Sequence, residues 1–218
     1  RWSSEDGLHY IMETPANDDP LTRTSRGTSM RLTISEGEEI TLEYLRSILK
    51  KYCYFMQKPI YLLTSDQSIE DQEMINNPKP LWLKNPNQVT EEEYKAFYHE
   101  IFEDPRDPMF WIHLNMDYPY RLQGILYFPT KELQIEKLDG RIKLYCNQVF
   151  VSDSLRDLIP EFLFLLKGAL DCPDLPLNVS RSYLQDDRVL GRLSDHIVRK
   201  VSDKLNGLVK SEREFYEE

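Results

Sequence analysis

Apolar residues recur at three- and four-residue steps in three stretches of the chain, which is the spacing of one face of an amphipathic helix. The first stretch follows Thr41 and carries Leu42, Leu45, Ile48, Leu49 and Tyr52. The second follows Thr90 and carries Tyr94, Phe97, Tyr98 and Ile101. The third carries Leu190, Leu193, Ile197, Val201, Leu205 and Leu208. We therefore predict three helices, of which the last is long and ends in a charged tail.

The second helix has its own start and stop signals. Thr90 is followed by three glutamates, so its hydroxyl can accept a hydrogen bond from the Glu93 amide while the Glu93 side chain reaches back to Thr90. Pro105 and Pro108 follow the last apolar position, and proline cannot continue a helix. We predict a helix that opens with a capping box and ends before Pro105.

Short apolar or alternating runs predict β-strands. They are Met30–Ile34, Ile60–Leu63, Phe110–Met116, Arg121–Phe128 and Ile142–Val151. Another run, Phe162–Leu170, is apolar nearly all round and follows Pro160, so we predict a buried helix there. We interpret Trp82 and Trp111 as core residues rather than exposed anchors. Because the strands are grouped between helices, the order of elements predicts a mixed α/β fold.

Composition and charge narrow the class of protein. The 218 residues include 27 basic and 37 acidic side chains, a formal net charge of −10, which weighs against a nucleic-acid partner. No apolar run approaches the ~20 residues that cross a bilayer, so we expect no membrane span. Cys53, Cys146 and Cys172 are odd in number and far apart in sequence. We therefore expect neither a disulfide framework nor a zinc clip, and a reducing, cytoplasmic setting.

The chain also shows signs of its domain organisation. It begins at Arg1 without an initiator Met, so we expect it to be a fragment of a longer protein. The stretch from Thr64 to Pro80 is polar, contains two prolines and has little hydrophobic content. We interpret this stretch as a linker and as the best candidate for a domain boundary.

One segment, Asp174–Gln185, is a candidate phosphate site. Pro173 and Pro176 favour an extended loop, after which Asn178 or Ser180 can cap a helix. Arg181 and Gln185 are four residues apart and would project from the same face of its first turns. A guanidinium, a side-chain amide and exposed helix-start amides together suit a phosphate. The pattern alone also fits an ordinary helix start whose arginine pairs with a nearby aspartate.

Elsewhere the sequence lacks the common catalytic motifs. It contains no phosphate-binding glycine-rich loop, no His-Glu-x-x-His, no nucleophile elbow and no clustered Cys/His set. The four histidines are isolated from one another in sequence, and we interpret each as a surface or strand residue. They are His9, His99, His113 and His196.

The run DLPLNVSRSYLQ (Asp174–Gln185) closely resembles the catalytic loop in the middle domain of the ninety-kilodalton heat-shock chaperone family, Hsp90, and of its bacterial HtpG branch in particular. The resemblance continues in the correct order along nearly the whole chain. The other similar runs are SRGTSMRLTI (Ser25–Ile34), KPIYLL (Lys58–Leu63), KPLWLKNPNQVTEEEYKAFY (Lys79–Tyr98), IKLYCNQVFVSD (Ile142–Asp153) and LIPEFLFLLKGALDCPDLPLNVSR (Leu158–Arg181).

The resemblance implies a fold and a domain plan. It implies the αβα sandwich of the chaperone middle domain, with a long C-terminal helix. Residues 1–64 would be the C-terminal portion of the N-terminal nucleotide-binding domain, and residues 65–76 a linker. Residues 77–190 would form the large αβα part of the middle domain, and residues 191–218 a helix that continues it.

The resemblance also implies site residues. The arginine that contacts the γ-phosphate of ATP in the family falls on Arg181, its neighbouring glutamine on Gln185 and its loop asparagine on Asn178. The threonine that helps to hold the adenine end of ATP falls on Thr28. ATP with magnesium would bind in the full-length parent, and we expect none bound to this fragment, which lacks most of the nucleotide-binding domain and would be inactive alone.

As a function, the resemblance implies a molecular chaperone fragment that serves protein folding and the stress response. Its partners would be non-native client proteins, its own N-terminal ATPase domain and, in the full-length parent, a second copy in a homodimer. Two places depart from the family: the turn Asp104–Pro108 lacks a tryptophan common in relatives, and the loop Pro129–Arg141 is short and charged. We therefore infer no client-binding site at either place from the resemblance. The alternative is an acidic α/β interaction scaffold with no role for nucleotide.

Overall fold

The computed structural model describes residues 1–14, 16, 22–23, 25–34, 40–64, 74–118, 120–130, 142–153, 166–175 and 187–211, with the side chains of the last range described over 191–210. The chain divides into two compact units, Arg1–Ile40 and Thr41–Glu218. None of the helices in the described part of the chain combines the length and apolar character that crossing a membrane requires. The domain limits proposed from the sequence stay a prediction.

The first unit contains a small antiparallel pair, β1 (Trp2–Ser3) and β2 (Ile11–Met12). The predicted strand at Met30–Ile34 is not formed, and all five of its residues are exposed without regular structure. Alternation of apolar and polar residues fits a strand, but a strand also needs a neighbour that pairs with its backbone groups. This prediction was therefore wrong.

The second unit is built on a five-stranded sheet. Its strands are β3 (Pro108–Met116), β4 (Leu122–Pro129), β5 (Ile142–Cys146), β6 (Val149–Ser152) and β7 (Lys167–Asp171). They lie in the order β3-β4-β7-β5-β6, and every neighbouring pair is antiparallel except β5 and β7. The last strand of the chain therefore lies in the middle of the sheet.

The three predicted helices are all present. They are α1 (Leu42–Cys53), α2 (Glu91–Phe102) and α3 (Asp187–Ser211). The capping box of α2 is confirmed: the Glu93 amide donates to the Thr90 hydroxyl at 3.3 Å, and the Thr90 amide donates to the Glu93 carboxylate at 3.1 Å. Two short 3-10 turns precede it, at Leu81–Leu83 and Pro86–Gln88.

The two faces of the sheet carry two separate cores, because successive residues of a strand point to opposite sides. On β4, Ile125 and Tyr127 pack with α2 and Trp82, whereas Leu122 and Leu126 pack on the side of α3. Helix α3 covers its face with Leu193, Ile197 and Val201. The arrangement is a helix–sheet–helix sandwich, which confirms the predicted mixed α/β fold.

The predicted core role of the tryptophans is confirmed for Trp82 and in part for Trp111. Trp82 is 1% exposed and contacts the rings of Phe55 and Tyr145. Trp111 is half-buried at the edge of the same core and stacks on Tyr94.

Three predictions in the second unit need correction, and the first concerns the apolar run before Asp171. Phe162–Leu170 was predicted to be a helix, yet Lys167–Asp171 form β7, with Leu170 fully buried. The remainder of that run, apart from Leu166, lies outside the described residues. An apolar run buried on both faces is also typical of a central strand, so periodicity cannot separate the two.

The predicted strand Ile142–Val151 is instead a hairpin. Asn147 and Gln148 both have positive φ, of 52° and 65°, and they turn the chain back from β5 into β6. Two consecutive residues with positive φ are the mark of a type I′ turn, which joins twisted strands tightly. Asn at the first position suits this conformation, whereas Gln gives no sequence signal for it.

Ile60–Leu63 was predicted to be a strand and is not one. The chain here is fixed by Asn76, whose side-chain amide donates to Met56 O at 2.7 Å and Lys58 O at 2.9 Å and accepts from Ile60 N at 2.8 Å. Ile75 N also donates to Ile60 O at 2.9 Å. The residues on either side of 65–73 are thus joined by a buried polar side chain, since Asn76 is 3% exposed.

Candidate functional site

Of the four predicted site residues, one belongs to the described part of the chain and three do not. Asn178, Arg181 and Gln185 lie outside the described residues. Thr28 is described, in an exposed segment of the first unit without regular structure. The Arg23 side chain binds two serines of that segment: Nη1 donates to Ser29 Oγ at 2.7 Å, and Nη2 donates to Ser25 Oγ at 3.3 Å.

The segment that leads into the predicted phosphate loop is tied to the end of the sheet. Cys172, the residue after β7, donates its amide to Tyr145 O at 3.0 Å, which continues the parallel pairing with β5. Leu175 N then donates to Cys172 O at 3.3 Å, which closes a turn. The Leu175 side chain is 6% exposed and belongs to the core beneath α3.

Asp174 lies in this turn and binds Arg121, the residue just before β4. Arg121 N donates to Asp174 Oδ2 at 2.8 Å, and Arg121 Nη2 donates to Asp174 Oδ1 at 2.7 Å. The hydrogen bonds from Arg121 lower the pKa of Asp174, and the same bonds raise the pKa of Arg121. Both shifts favour the charged forms, so the pair is ionised at neutral pH.

A buried carboxylate supports the adjoining hairpin. Asp171 is 4% exposed, and its two oxygens accept hydrogen bonds from Gln148 N at 3.2 and 3.1 Å. Burial raises the pKa of Asp171, although the backbone hydrogen bonds from Gln148 and Asn147 oppose that shift. Among the described residues, Gln148 Oε1 is buried and finds no hydrogen-bond partner. Asp171 therefore holds the positive-φ turn against β7.

The residues on both sides of the predicted phosphate loop pack on one core. Leu175 lies at the start of the loop run Asp174–Gln185, while Leu193, Ile197 and Val201 of α3 follow it, and all four are members of the same buried cluster. Leu170 of β7 and Leu144 of β5 complete the contact surface in the sheet. The loop is therefore flanked by two segments that share a rigid, close-packed support.

Two of the four histidines make contacts within the fold. His113 lies on β3, and its ring nitrogens contact Tyr94 Oη at 2.8 Å and Trp82 O at 3.2 Å. His99, near the end of α2, contacts Asp107 at 2.9 Å. No group of three or more His, Cys, Asp or Glu side chains suited to a metal occurs in the part of the chain that the structure describes.

Comparison with known protein families identifies the class of protein to which this chain belongs. The family model described as "Hsp90 protein" matches residues 63–218, which is most of the chain and includes the whole sheet, α2 and α3. The chain therefore belongs to the Hsp90 family.

Curated relatives place the chain near the bacterial HtpG branch of that family. It is 41% identical to "Chaperone protein htpG" of Bacteroides fragilis and 39% identical to that of Porphyromonas gingivalis, in both cases over 100% of the chain and 32% of the relative. Identity to "Chaperone protein HtpG" of Borreliella afzelii is 31%, over 100% of the chain and 36% of the relative. The chain thus spans about a third of the length of the curated relatives it matches.

Sequence reasoning missed both the pair formed by Arg121 with Asp174 and the support that Asp171 gives to the hairpin turn. Asp171 carried no motif, and its burial depends on pairing between strands that are distant in sequence. Arg121 lies 53 residues from Asp174, so no local spacing links the two.

Proposed function

We propose that this chain is part of a molecular chaperone, in which the loop after β7 supplies Arg181 to the γ-phosphate of ATP bound in a neighbouring nucleotide-binding domain. Membership of the Hsp90 family carries the proposal, together with the match between the run Asp174–Gln185 and the family's catalytic loop. The shared core on both sides of the loop supports it, because a group that stabilises a transition state must be held in place.

The chemistry proposed for the loop is electrostatic. Hydrolysis of ATP spreads negative charge over the γ-phosphoryl oxygens as the bond to the β-phosphate breaks. A guanidinium presents two parallel N–H donors to such oxygens and stabilises that charge without accepting a proton. We assign this role to Arg181 and assign Asn178 and Gln185 to positioning the loop and the phosphate. Thr28 would help to hold the adenine end of the nucleotide.

ATP and Mg²⁺ belong in this proposal to the nucleotide-binding domain of the full-length protein. When bound, Mg²⁺ would neutralise part of the charge on the phosphate oxygens. Because Arg181 would reach the nucleotide only when two domains dock, hydrolysis would be coupled to a change of shape. Non-native client proteins, a homodimer and a cytoplasmic location are part of the same proposal.

The test compares Arg181→Ala with wild type in a protein of the relatives' full length that contains this chain. We expect ATP turnover to fall while nucleotide affinity, measured separately by equilibrium binding, stays unchanged. Arg199→Ala, which removes an exposed arginine of α3, is the matched control and should leave turnover intact. The chain alone is expected to hydrolyse no ATP.

The second candidate function is an acidic α/β scaffold that binds protein partners without nucleotide. The net charge of −10 is the observation that favours it. Unchanged turnover in Arg181→Ala would support this scaffold and contradict a catalytic role for the loop.

A further inference from the structure

We propose that Arg121 is a positioning residue for ATP hydrolysis: by binding Asp174, it fixes the direction in which the loop with Arg181 leaves the sheet. This inference rests on the function proposed for Arg181. Arg121 itself would not touch the nucleotide, and its effect would pass through Asp174.

Arg121 and Asp174 are joined by several hydrogen bonds, although their contact lies at the surface. Arg121 Nη2 donates to Oδ1 of Asp174 at 2.7 Å, and Nε donates to Oδ1 at 3.2 Å and to Oδ2 at 3.3 Å. The backbone amide of Arg121 adds a fourth hydrogen bond, to Oδ2 at 2.8 Å. Both oxygens are therefore engaged, and a planar fork with several bonds restricts the orientation of the carboxylate more than a single contact could.

The pair connects a rigid element with the base of the loop. Arg121 directly precedes Leu122, which is 1% exposed and begins β4, an inner strand of the sheet. Asp174 directly precedes Leu175, the last described residue before the loop. The pair thus holds the chain after β7 against the start of β4, whereas the hydrogen bond from Cys172 N to Tyr145 O holds it against β5.

The pair formed by Arg121 and Asp174 should contribute little to the free energy of unfolding. The Arg121 and Asp174 side chains are 60% and 33% exposed, and exposed ion pairs stabilise proteins only slightly because water and salt screen them. Leu175 already anchors the turn to the core by burial. The pair also fixes the carboxylate of Asp174 relative to β4, and Arg181 follows seven residues further along the chain.

The experiment measures steady-state ATP hydrolysis in the full-length protein with Arg121→Ala, Asp174→Asn and Arg181→Ala. A displacement of about 1 Å can cost up to a hundredfold in rate, so we expect Arg121→Ala to lower kcat roughly tenfold, with KM for ATP unchanged. Asp174→Asn keeps the shape of the carboxylate and an acceptor for Arg121 N, and it should show a smaller loss in the same direction. The exchanged pair Arg121→Asp with Asp174→Arg should recover part of the rate.

The matched control is Lys84→Ala, which breaks an ion pair of similar exposure with Glu93 in the first turn of α2. It should leave kcat at the wild-type value, and Tm should change as little in Arg121→Ala as in this control. In an Arg181→Ala background, Arg121→Ala should cost nothing further, because the residue that it positions is gone.

The outcomes separate the two proposals. If Arg181→Ala lowers turnover but Arg121→Ala stays within about twofold of wild type, the positioning role is refuted and the function proposed for Arg181 stands. A loss in Arg121→Ala that persists undiminished in the Arg181→Ala background, or that comes with a large fall in Tm, would mean a structural role and would also refute it. If Arg181→Ala itself leaves turnover unchanged, the proposed function fails and this inference fails with it.

Discussion

The carboxylate of Asp104 lies 2.7 Å from Nζ of Lys167, and the two side chains are only 5% and 12% exposed. The pair joins the turn after α2 to the first residue of β7, across 63 positions of sequence. Tyr98 Oη donates a further hydrogen bond to Asp104 at 3.0 Å, and the Lys167 ammonium lies 5.5 Å from the centre of the Tyr98 ring. Removing one member of such a buried ion pair leaves the other charge buried and uncompensated, which destabilises the folded state strongly.

We expect Asp104→Asn to lower the free energy of unfolding of this chain by roughly 2–3 kcal/mol, because the mostly buried Lys167 ammonium would lose the negative charge of Asp104. Urea denaturation followed by circular dichroism measures the change. Lys84→Ala serves as the control, since it removes an exposed pair and should alter stability little. A loss in Asp104→Asn no larger than in that control would contradict the structural importance of the buried pair.

The same pair predicts sensitivity to acid. Burial alone would raise the pKa of Asp104, but the hydrogen bonds from Lys167, Arg106 and Tyr98 outweigh it and hold this pKa well below its usual value. The folded state therefore favours the charged form, and the stabilisation is present in full above the pKa of the unfolded chain, about 3.9. It is lost as the pH falls from there towards the native pKa. Wild type should lose stability below about pH 4 more steeply than Asp104→Asn does.

Two glycines should respond to alanine with opposite signs. A Cβ at Gly124 in β4 would lie 2.3 Å from Ala169 O and 2.9 Å from the Cα of Leu170 in the neighbouring strand, so the backbones must move apart. We expect Gly124→Ala to destabilise the chain by about 2 kcal/mol. A Cβ at Gly191 in α3 meets nothing within 4 Å, so Gly191→Ala should stabilise it by up to about 1 kcal/mol through helix propensity. Equal effects in thermal denaturation would contradict the close approach of β4 and β7.

Asn76 gives a prediction for the chain around residues 56–60. Asn76→Ala removes three hydrogen bonds and leaves Ile60 N and two carbonyl oxygens without that partner, so we expect a loss of about 2 kcal/mol. Hydrogen exchange should show faster exchange at Ile60 in the variant. Asn87→Ala, at an exposed position, is the control. Unchanged exchange at Ile60 would show that Asn76 does not hold this segment.

The loop prediction concerns geometry as well as charge. We expect Arg181→Lys in the full-length protein to impair ATP turnover almost as much as Arg181→Ala, because lysine keeps the charge but loses the planar fork. Removal of the side chain should cost on the order of 3 kcal/mol of transition-state stabilisation. Steady-state hydrolysis and separate measurements of nucleotide affinity give the comparison. Near wild-type turnover in Arg181→Lys would mean that charge alone is sufficient.

Helices α2 and α3 were predictable because their apolar residues mark a single buried face, whereas α1 was predictable from the same spacing although none of its residues is fully buried. On α3, Leu193, Ile197 and Val201 recur at four-residue steps and are all buried against the sheet. The capping box of α2 was predictable for a different reason, since Thr90 and Glu93 satisfy backbone groups within three residues of each other. Signals of this kind are local, and local signals are visible in sequence.

The errors arose where a neighbour distant in sequence decides the structure. Lys167–Asp171 form a strand because β4 and β5 pair with them on both sides, which the apolar character of the run could not indicate. The turn at Gln148 depends on the buried carboxylate of Asp171, 23 residues away. The candidate loop was found from its motif, whereas the support from Arg121 could be seen only in three dimensions.

The position of β7 has a consequence for the synthesis of the protein. The β3–β4 and β5–β6 pairs emerge from the ribosome first, and the edges at β4 and β5 are then still unpaired. Those two edges can be joined only after residues 167–171 have been translated, because β7 lies between them. A nascent chain that stops short of Lys167 therefore lacks the strand that joins the two pairs, and they become one sheet only after β7 has emerged.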